Sequence, residues 1–293
     1  MKGFIFDIKR FATHDGKGIR TTVFFKGCSL SCKWCHNPES ISPQKQIGYF
    51  PDKCINCGNC TSVCEANVIL GGKHIFERTK CVLCGKCTEV CPKKCFEIYG
   101  YEISADTLVP ILLKDKKFYD VSGGGVTLSG GECLLQYEFC REVLIRLKKL
   151  GINTAIDTAG LVPQKAIDAV APYTDIFLYD IKHFDSVAHT LWTGHGNEEI
   201  LKNLRYINSL GSKIEIRIPY IPGVNHNSMG DIAQILQELE NITAVKILPY
   251  HPYARSKYIA VDKDFSMKDT PIPSPKEIQA AKNIFKEYGF EVI

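Results

Sequence analysis

The sequence of 293 residues predicts an α/β fold, a partial barrel of six strand–helix units interrupted by an insertion after its first strand. Three observations carry this expectation. From residue 100 onward, short apolar runs alternate with amphipathic stretches of helical period, the pattern of crossover units and a parallel sheet. Residues 49–99 break that alternation and are rich in Cys, Lys, Asn and Gly. Apolar residues at 45% and charged residues at 23% suit a chain that buries a sizeable core, and they exclude a disordered tail or a collagen-like rod.

The elements follow in order. Residues 3–6 read as a short strand at one end and TTVFF at 21–25 as the first parallel strand. Residues 105–113 belong to a helix, GVTL at 125–128 is a strand, and 138–150 is a helix with apolar residues at helical spacing. A strand at 154–156 precedes a helix starting at Pro163, a favoured first-turn residue. The strand IFLY at 176–179 is followed by a helix at 198–210 that Gly211 closes. Strand 214–218, helix 228–239, strand 245–248 and helix 275–288, capped by Gly289, complete six units, with a last short strand at 290–293. The result is a TIM-type (β/α)6 partial barrel made of residues 1–48 and 100–293, with 49–99 as a separate unit. Active sites of such folds lie in loops at the carboxyl ends of the strands. The connection at 250–275 is long enough to be a lid, a docking segment or a mobile surface loop.

Charge and hydropathy narrow the function. A net charge of +4 is too mild to argue for nucleic acid. No uncharged apolar run reaches the roughly 18 residues of a bilayer span, so no membrane role is expected. Lys2, Asp7, Lys9, Arg10 and Asp15 interrupt the first twenty residues, which therefore lack the apolar stretch of a secretory signal. The expected location is cytoplasmic.

Cysteine is the anomaly. Of 14 residues, eleven lie between Cys28 and Cys91, and in a reducing compartment such clustering points to metal rather than disulfides. Cys54-x2-Cys57-x2-Cys60-x3-Cys64 recurs, offset by 27 residues, as Cys81-x2-Cys84-x2-Cys87-x3-Cys91-Pro92. Zinc sites favour separated pairs instead. This run resembles the bacterial two-cluster ferredoxin pattern, in which each fourth Cys serves the other cluster. The resemblance implies a ferredoxin-like insertion with Cys54, Cys57, Cys60 and Cys91 on one [4Fe–4S] cluster and Cys64, Cys81, Cys84 and Cys87 on a second. Glu65 stands where Pro often follows, which affects a turn and not a ligand.

Cys28-x3-Cys32-x2-Cys35, directly after the strand TTVFFKG, has a different meaning. Three thiolates can hold three irons of a cube and leave the fourth open, the condition that separates a catalytic from a structural metal centre. With Trp34 before the last Cys, the run resembles the signature of radical S-adenosylmethionine enzymes. That resemblance implies a methionyl amine and carboxylate on the open iron. One electron then splits the sulfonium into methionine and a 5′-deoxyadenosyl radical.

Polar groups gather at the other strand ends. Ser129-Gly130-Gly131-Glu132 follows GVTL; taken alone it is a Gly-rich turn with a solvated Glu, and it resembles the family's GGE motif, which holds the methionyl ammonium. Cys133 replaces a commoner Pro there. Asp157 and Thr158 end the next strand, and Asp180 and Lys182 the one after; by resemblance they bind the cofactor, partly through a monovalent cation. Arg217 suits a carboxylate or ribose contact, or a structural ion pair. His251 ends the sixth strand and is either a ligand contact or a packing residue.

Two further stretches narrow the family. HDGKGIR at 14–20, with Lys17 in place of Pro, and SGGGVTLSGGE at 122–132 resemble the activating enzymes of glycyl radical enzymes, as does CHNPES at 35–40. The resemblance runs over nearly the whole chain. It implies hydrogen abstraction from a glycine α-carbon in a partner glycyl radical enzyme. It also implies three [4Fe–4S] clusters, S-adenosylmethionine, partner contacts at Asp15 and Arg20, and flavodoxin or ferredoxin as electron donor, in a monomer. The competing readings are another radical maturase acting on a Ser or Cys of a client peptide, and a ferredoxin-type electron carrier. Cys95, Cys133 and Cys140 are surplus to all three clusters.

Overall fold

The computed structural model describes all 293 residues. Lys2–Ala12 (β1) and Arg20–Phe25 (β2) form an antiparallel hairpin. Gln46–Tyr49 (β3), Asn67–Leu70 (β4), Lys73–Phe76 (β5), the short helix Lys86–Val90 (α1) and Phe96–Tyr99 (β6) come next. Tyr101–Ser104 (β7), Ala105–Leu113 (α2) and Lys116–Ser122 (α3) lead to Gly125–Gly130 (β8) and Tyr137–Lys149 (α4). Asn153–Thr158 (β9), Gln164–Val170 (α5), Ile176–Asp180 (β10), Ser186–Thr193 (α6) and Glu198–Ser209 (α7) continue the alternation. Ile214–Tyr220 (β11), Met229–Leu236 (α8), Ile242–Pro249 (β12), Arg255–Ala260 (α9) and Pro275–Glu287 (α10) end it.

The main sheet has the order β12-β11-β10-β9-β8-β2-β1-β7. Its six strands from β2 to β12 are mutually parallel, as the six expected units require. Helices cover the outside. On α4 the buried residues Phe139, Cys140, Val143, Leu144 and Leu147 recur at helical spacing, while Arg146, Lys148 and Lys149 close its last turn in favourable register with the helix dipole. On α10, Ser274 and Glu277 form a reciprocal capping box ahead of Pro275.

Hydrogen bonding leaves the sheet open, with β12 and β7 at its edges. The loop between β1 and β2 bridges the gap. The His14 carbonyl accepts from Arg217 Nη2 on β11 at 2.9 Å and from Lys246 Nζ on β12 at 3.1 Å. Asp15 accepts from Thr22 Oγ1 on β2 at 2.7 Å, and its carbonyl from Thr127 Oγ1 on β8 at 2.7 Å. The loop therefore plugs the amino-terminal end of the barrel and curls the sheet around it. The plug fits because glycine backbones meet there: a Cβ on Gly124 would lie 1.9 Å from the Ile19 carbonyl oxygen, and one on Gly18 2.5 Å from the Gly124 nitrogen.

Residues 46–99 form a small unit of two ladders, β3 with β6 and β4 with β5. Arg78 ties it to the barrel, donating to the carbonyls of Ile47 (2.8 Å) and Ala260. From the same segment, Lys257 reaches Asn37 Oδ1 at 2.9 Å and Glu39 Oε1 at 2.7 Å. The connection at 250–275 is thus not a loose loop. It carries α9, and Tyr250, Ala254, Tyr258, Phe265 and Met267 are buried with Trp34 and Ile221 in a second, smaller core.

Other expectations are corrected. β1 runs eleven residues rather than four; past Ile5 it pairs with β2 alone, so Asp7, Lys9 and Arg10 face outward without breaking it. The end of the chain contributes one parallel bridge, Val292 to Val245, and no strand. Helices α3, α6 and α9 were hidden in expected connections because each is only six to eight residues long. Arg20 cannot meet a partner: it is 1% exposed, and its guanidinium donates to Thr127 Oγ1 (2.7 Å), Asn153 Oδ1 (2.9 Å) and the Val126 carbonyl (2.7 Å). Substituting Gly124→Ala should destabilise the protein by about 1–3 kcal/mol, since the new methyl overpacks a backbone contact that has no room to yield. Thermal unfolding of the cluster-free protein checks this, with Gly123→Ala, whose Cβ meets nothing within 4 Å, showing the cost of the left-handed backbone alone.

Candidate active site

The cysteine loop leaves β2 through Gly27 and closes on itself, Gly27 N–H donating to the Ser40 carbonyl at 2.7 Å and Cys28 N–H to that of Ile41 at 3.1 Å. Two later segments clamp its middle. Ser31 and Lys33 donate their N–H groups to the carbonyls of Thr193 and Trp192 at 2.8 and 3.0 Å, while the Tyr258 hydroxyl donates to the Cys32 carbonyl at 3.4 Å. Cys28, Cys32 and Cys35 consequently share the wall of one cavity of about 290 Å³. Burial pushes Cys28 and Cys35 up to about 12, so at neutral pH they keep their protons until a bound cation draws the charge out.

The carboxyl ends of the barrel strands supply the remaining wall. Gly130 ends β8 against β2 and Gly131 follows against the start of the cysteine loop: a Cβ on Gly130 would lie 2.1 Å from the Phe25 nitrogen, and one on Gly131 2.1 Å from the Gly27 oxygen. Asp157 accepts from Ser129 Oγ at 2.6 Å and faces Arg217 Nη1 at 3.3 Å. Burial raises it to about 6 despite that cation. Asp180 holds Lys182 at 2.7 Å. Burial alone would lower the Lys182 ammonium, but Asp180 outweighs it and the group stands above its ordinary value. Arg217 Nε, on this wall, is buried without a partner and so is left for a ligand.

Cys28, Cys32, Trp34, Cys35, Gly130, Gly131, Asp157, Thr158, Asp180, Lys182, Arg217 and Asp15 all line this cavity. Three anticipated residues do not: Arg20, buried in the plug, and two others. His251 stands one layer back, its ring stacked on His36 at 4.1 Å between centroids, and it is His36 that reaches the wall. Glu132 is fully buried behind the wall. It accepts from Thr158 Oγ1 (2.8 Å), Ala159 N–H (3.0 Å) and Leu134 N–H (3.2 Å), and burial raises it to about 7. Its carboxylate therefore shapes the end of β9. Residues not anticipated include His36, Asn37, Ser40 and Ser129. Their adjacency to Cys35 and Gly130 was the available signal.

Comparison with known proteins decides the family. Residues 22–236 match the model of the radical SAM superfamily. Over 99% of this chain and 98% of the relative, the sequence is 42% identical to the trans-4-hydroxy-L-proline dehydratase activating enzyme of Clostridioides difficile. It is 38% identical to the choline trimethylamine-lyase activating enzyme of Oleidesulfovibrio alaskensis, over 99% and 97%. The chain is a radical SAM enzyme of the glycyl radical enzyme activating family.

A solved domain of a pyruvate-formate lyase-activating enzyme from Bacteroides vulgatus superposes with a TM-score of 0.50 at 32% identity, covering 58% of this chain and 98% of that one. Membership sets aside the electron-carrier reading: an activating enzyme generates a radical with a [4Fe–4S] cluster and S-adenosylmethionine. The cavity fits that pair, with three thiols on one side and the unpartnered Nε of Arg217 on another.

Eight of the remaining eleven thiols sort into two sets. Around Cys60 stand Cys54, Cys57 and Cys91; around Cys87 stand Cys64, Cys81 and Cys84. No three such side chains converge tightly enough for a single metal ion. A four-iron cube spreads its ligands around a body instead of a point. No helix is long and apolar enough to cross a membrane.

The placement of Glu132 gives a direct check. Glu132→Gln turns an amide N–H toward groups that already donate, leaving a buried donor unsatisfied. It should lower the stability of the cluster-free protein by about 1–3 kcal/mol. A residue that only touched the cofactor would leave that melting temperature unmoved.

Proposed function

We propose that this enzyme removes one hydrogen atom from the α-carbon of a glycine in a separate glycyl radical enzyme. The observation that carries the proposal is the one cavity in which three thiols, the glycine end of β8, the polar ends of β9 and β10 and Arg217 of β11 converge. When bound there, the cluster supplies one electron and S-adenosylmethionine the carbon radical that takes the hydrogen, giving methionine and 5′-deoxyadenosine.

The chain's own residues orient and enclose. Cys28, Cys32 and Cys35 would hold the cluster by three thiolates, which would leave it able to take the methionyl group. Gly130 and Gly131 let that group approach the backbone, and Lys182 and Arg217 stand ready for its carboxylate. Three carboxylates on the wall, Asp15, Asp157 and Asp180, face two cations, Lys182 and Arg217. The surplus negative charge suits a monovalent cation near Asp157. Trp34, Ile221 and Tyr250 wall the cavity with apolar surface, which keeps water from a reactive radical. Asp15 lies at the wall and is open to an inserted glycine segment, a role buried Arg20 does not share.

The two other thiol sets hold two further [4Fe–4S] clusters that relay electrons from a flavodoxin or ferredoxin, in a monomeric cytoplasmic enzyme. Crossed grouping of the thiols supports this. Anaerobically reconstituted enzyme should carry about twelve irons per chain. With reductant, S-adenosylmethionine and its partner it should produce 5′-deoxyadenosine together with a glycyl doublet in electron paramagnetic resonance. 5′-Deoxyadenosine with a modified Ser or Cys in place of a glycyl doublet would transfer the enzyme to the maturase class. Cys81→Ala with Cys84→Ala should preserve a single turnover and abolish sustained turnover driven by the protein reductant; full sustained turnover would remove the relay.

A further inference from the structure

The cysteine run repeats at a 27-residue offset, yet only the second copy is fastened to the barrel. Cys81 is held on both sides. Three residues before it, Arg78 accepts at its carbonyl from Cys81 N–H at 3.0 Å, and its guanidinium donates to the Ala260 carbonyl. Two residues after it, Leu83 donates its N–H to Cys81 sulfur at 3.4 Å and accepts at its carbonyl from Lys45 Nζ at 3.1 Å. The positions 27 residues earlier are Pro51, which has no donor to offer, and Asn56, whose Oδ1 accepts from His74 N–H at 2.8 Å. Every hydrogen bond of residues 50–76 stays within residues 46–99.

What Arg78 grips leads on to the catalytic thiols. Ala260 ends α9, and two residues before it the buried Tyr258 donates its hydroxyl to the carbonyls of Cys32 and Lys33 at 3.4 and 3.3 Å. Lys257 adds its bonds to Asn37 and Glu39, two and four residues past Cys35. A chain of contacts therefore runs from Cys81 through Arg78, Ala260 and Tyr258 to Cys32. A second joint lies at the root of the cysteine loop. Lys26, 2% exposed, spans the Glu39 carbonyl at 2.5 Å and Gln46 Oε1 of β3 at 2.8 Å. By contrast Cys54, Cys57, Cys60 and Cys91 line a small cavity of their own, walled by residues of the insertion alone.

We propose that Arg78, Lys45 and helix α9 seat the thiol set around Cys87 next to the catalytic thiols, so that this set, and not the one around Cys60, hands over the electron. This rests on the reading that both sets hold clusters. The handover moves one electron and breaks no bond: the centre at Cys81 is oxidised by one, the catalytic centre is reduced by one, and reduced flavodoxin or ferredoxin replenishes the first by way of the set around Cys60. Electron transfer weakens steeply with separation, so a span fixed by hydrogen bonds sets which centre can donate. Arg78 and Lys45 are positioning residues: they touch neither cofactor nor substrate, and they act through the place they give Cys81.

The test uses the full chain, anaerobically reconstituted, with iron counted and all clusters reduced. S-adenosylhomocysteine, which keeps the amine and carboxylate but has no sulfonium to split, marks the catalytic signal in electron paramagnetic resonance. A reduced neighbour speeds the magnetic relaxation of that signal. Cys81→Ala with Cys84→Ala should abolish the enhancement, and Cys54→Ala with Cys57→Ala should keep it. Arg78→Ala with Lys45→Ala, which removes both fastenings and no ligand, should weaken it at full iron content. The same variant should slow the first burst of 5′-deoxyadenosine driven by reduced flavodoxin, and not the burst from enzyme already reduced by dithionite. Enhancement lost with Cys54 and Cys57 but kept without Cys81 and Cys84 would overturn the inference. So would wild-type relaxation in the fully loaded Arg78 and Lys45 variant, which decides the matter if a paired cysteine variant loses more than one cluster. Wild-type enzyme holding only about four irons would overturn the auxiliary-cluster reading itself, and iron analysis registers that before any relaxation is measured.

Discussion

One guanidinium joins the closure of the barrel to the electrostatics of its mouth. Arg217 projects from β11 into the barrel, donates to the His14 carbonyl of the plugging loop and faces Asp157 across 3.3 Å. The open sheet has no hydrogen bond between its edge strands, so its curvature depends on such cross-barrel contacts. Placed there, Arg217 also makes it tolerable to bury Asp15 and Asp157 together, since neither could remain charged in that setting unpaired. Fold and cofactor chamber are therefore one electrostatic problem with a shared solution.

The glycines around β8 show the same economy. At its amino end, Gly124 admits the backbone of the plugging loop; at its carboxyl end, Gly130 and Gly131 admit β2 and the start of the cysteine loop and bare the strand end to the cavity. A single strand is thus approached closely at both ends for different reasons. The motif spanning 122–132 combines a structural half with a half that faces the cofactor.

Much of this was legible in the sequence, because the signals are local. Cys28, Cys32 and Cys35 announce their chemistry by spacing, and the parallel strands by their alternation with helices. Asp157 and Asp180 were found because strand ends in this fold share a mouth, whereas Arg217 reaches it from the middle of β11, which runs three residues further than the sequence suggested by placing Arg217 at its end. What stayed hidden depends on contacts between distant residues. Nothing near Glu132 tells that its carboxylate turns back to Thr158 and Ala159. Nothing near Arg20 tells that Asn153 buries it. Helix α9 resembles loop sequence because its apolar residues are chosen to pack against Trp34 and not to form a regular stripe.

The clamp on the cysteine loop has a consequence for biogenesis. The loop at residues 28–41 is held by Trp192 and Thr193 on one side and by Lys257 and Tyr258 on the other. A nascent chain emerging from the ribosome presents the three thiols long before those braces have been synthesised. The enclosure around the three thiols is therefore complete only once the chain has been synthesised as far as Tyr258.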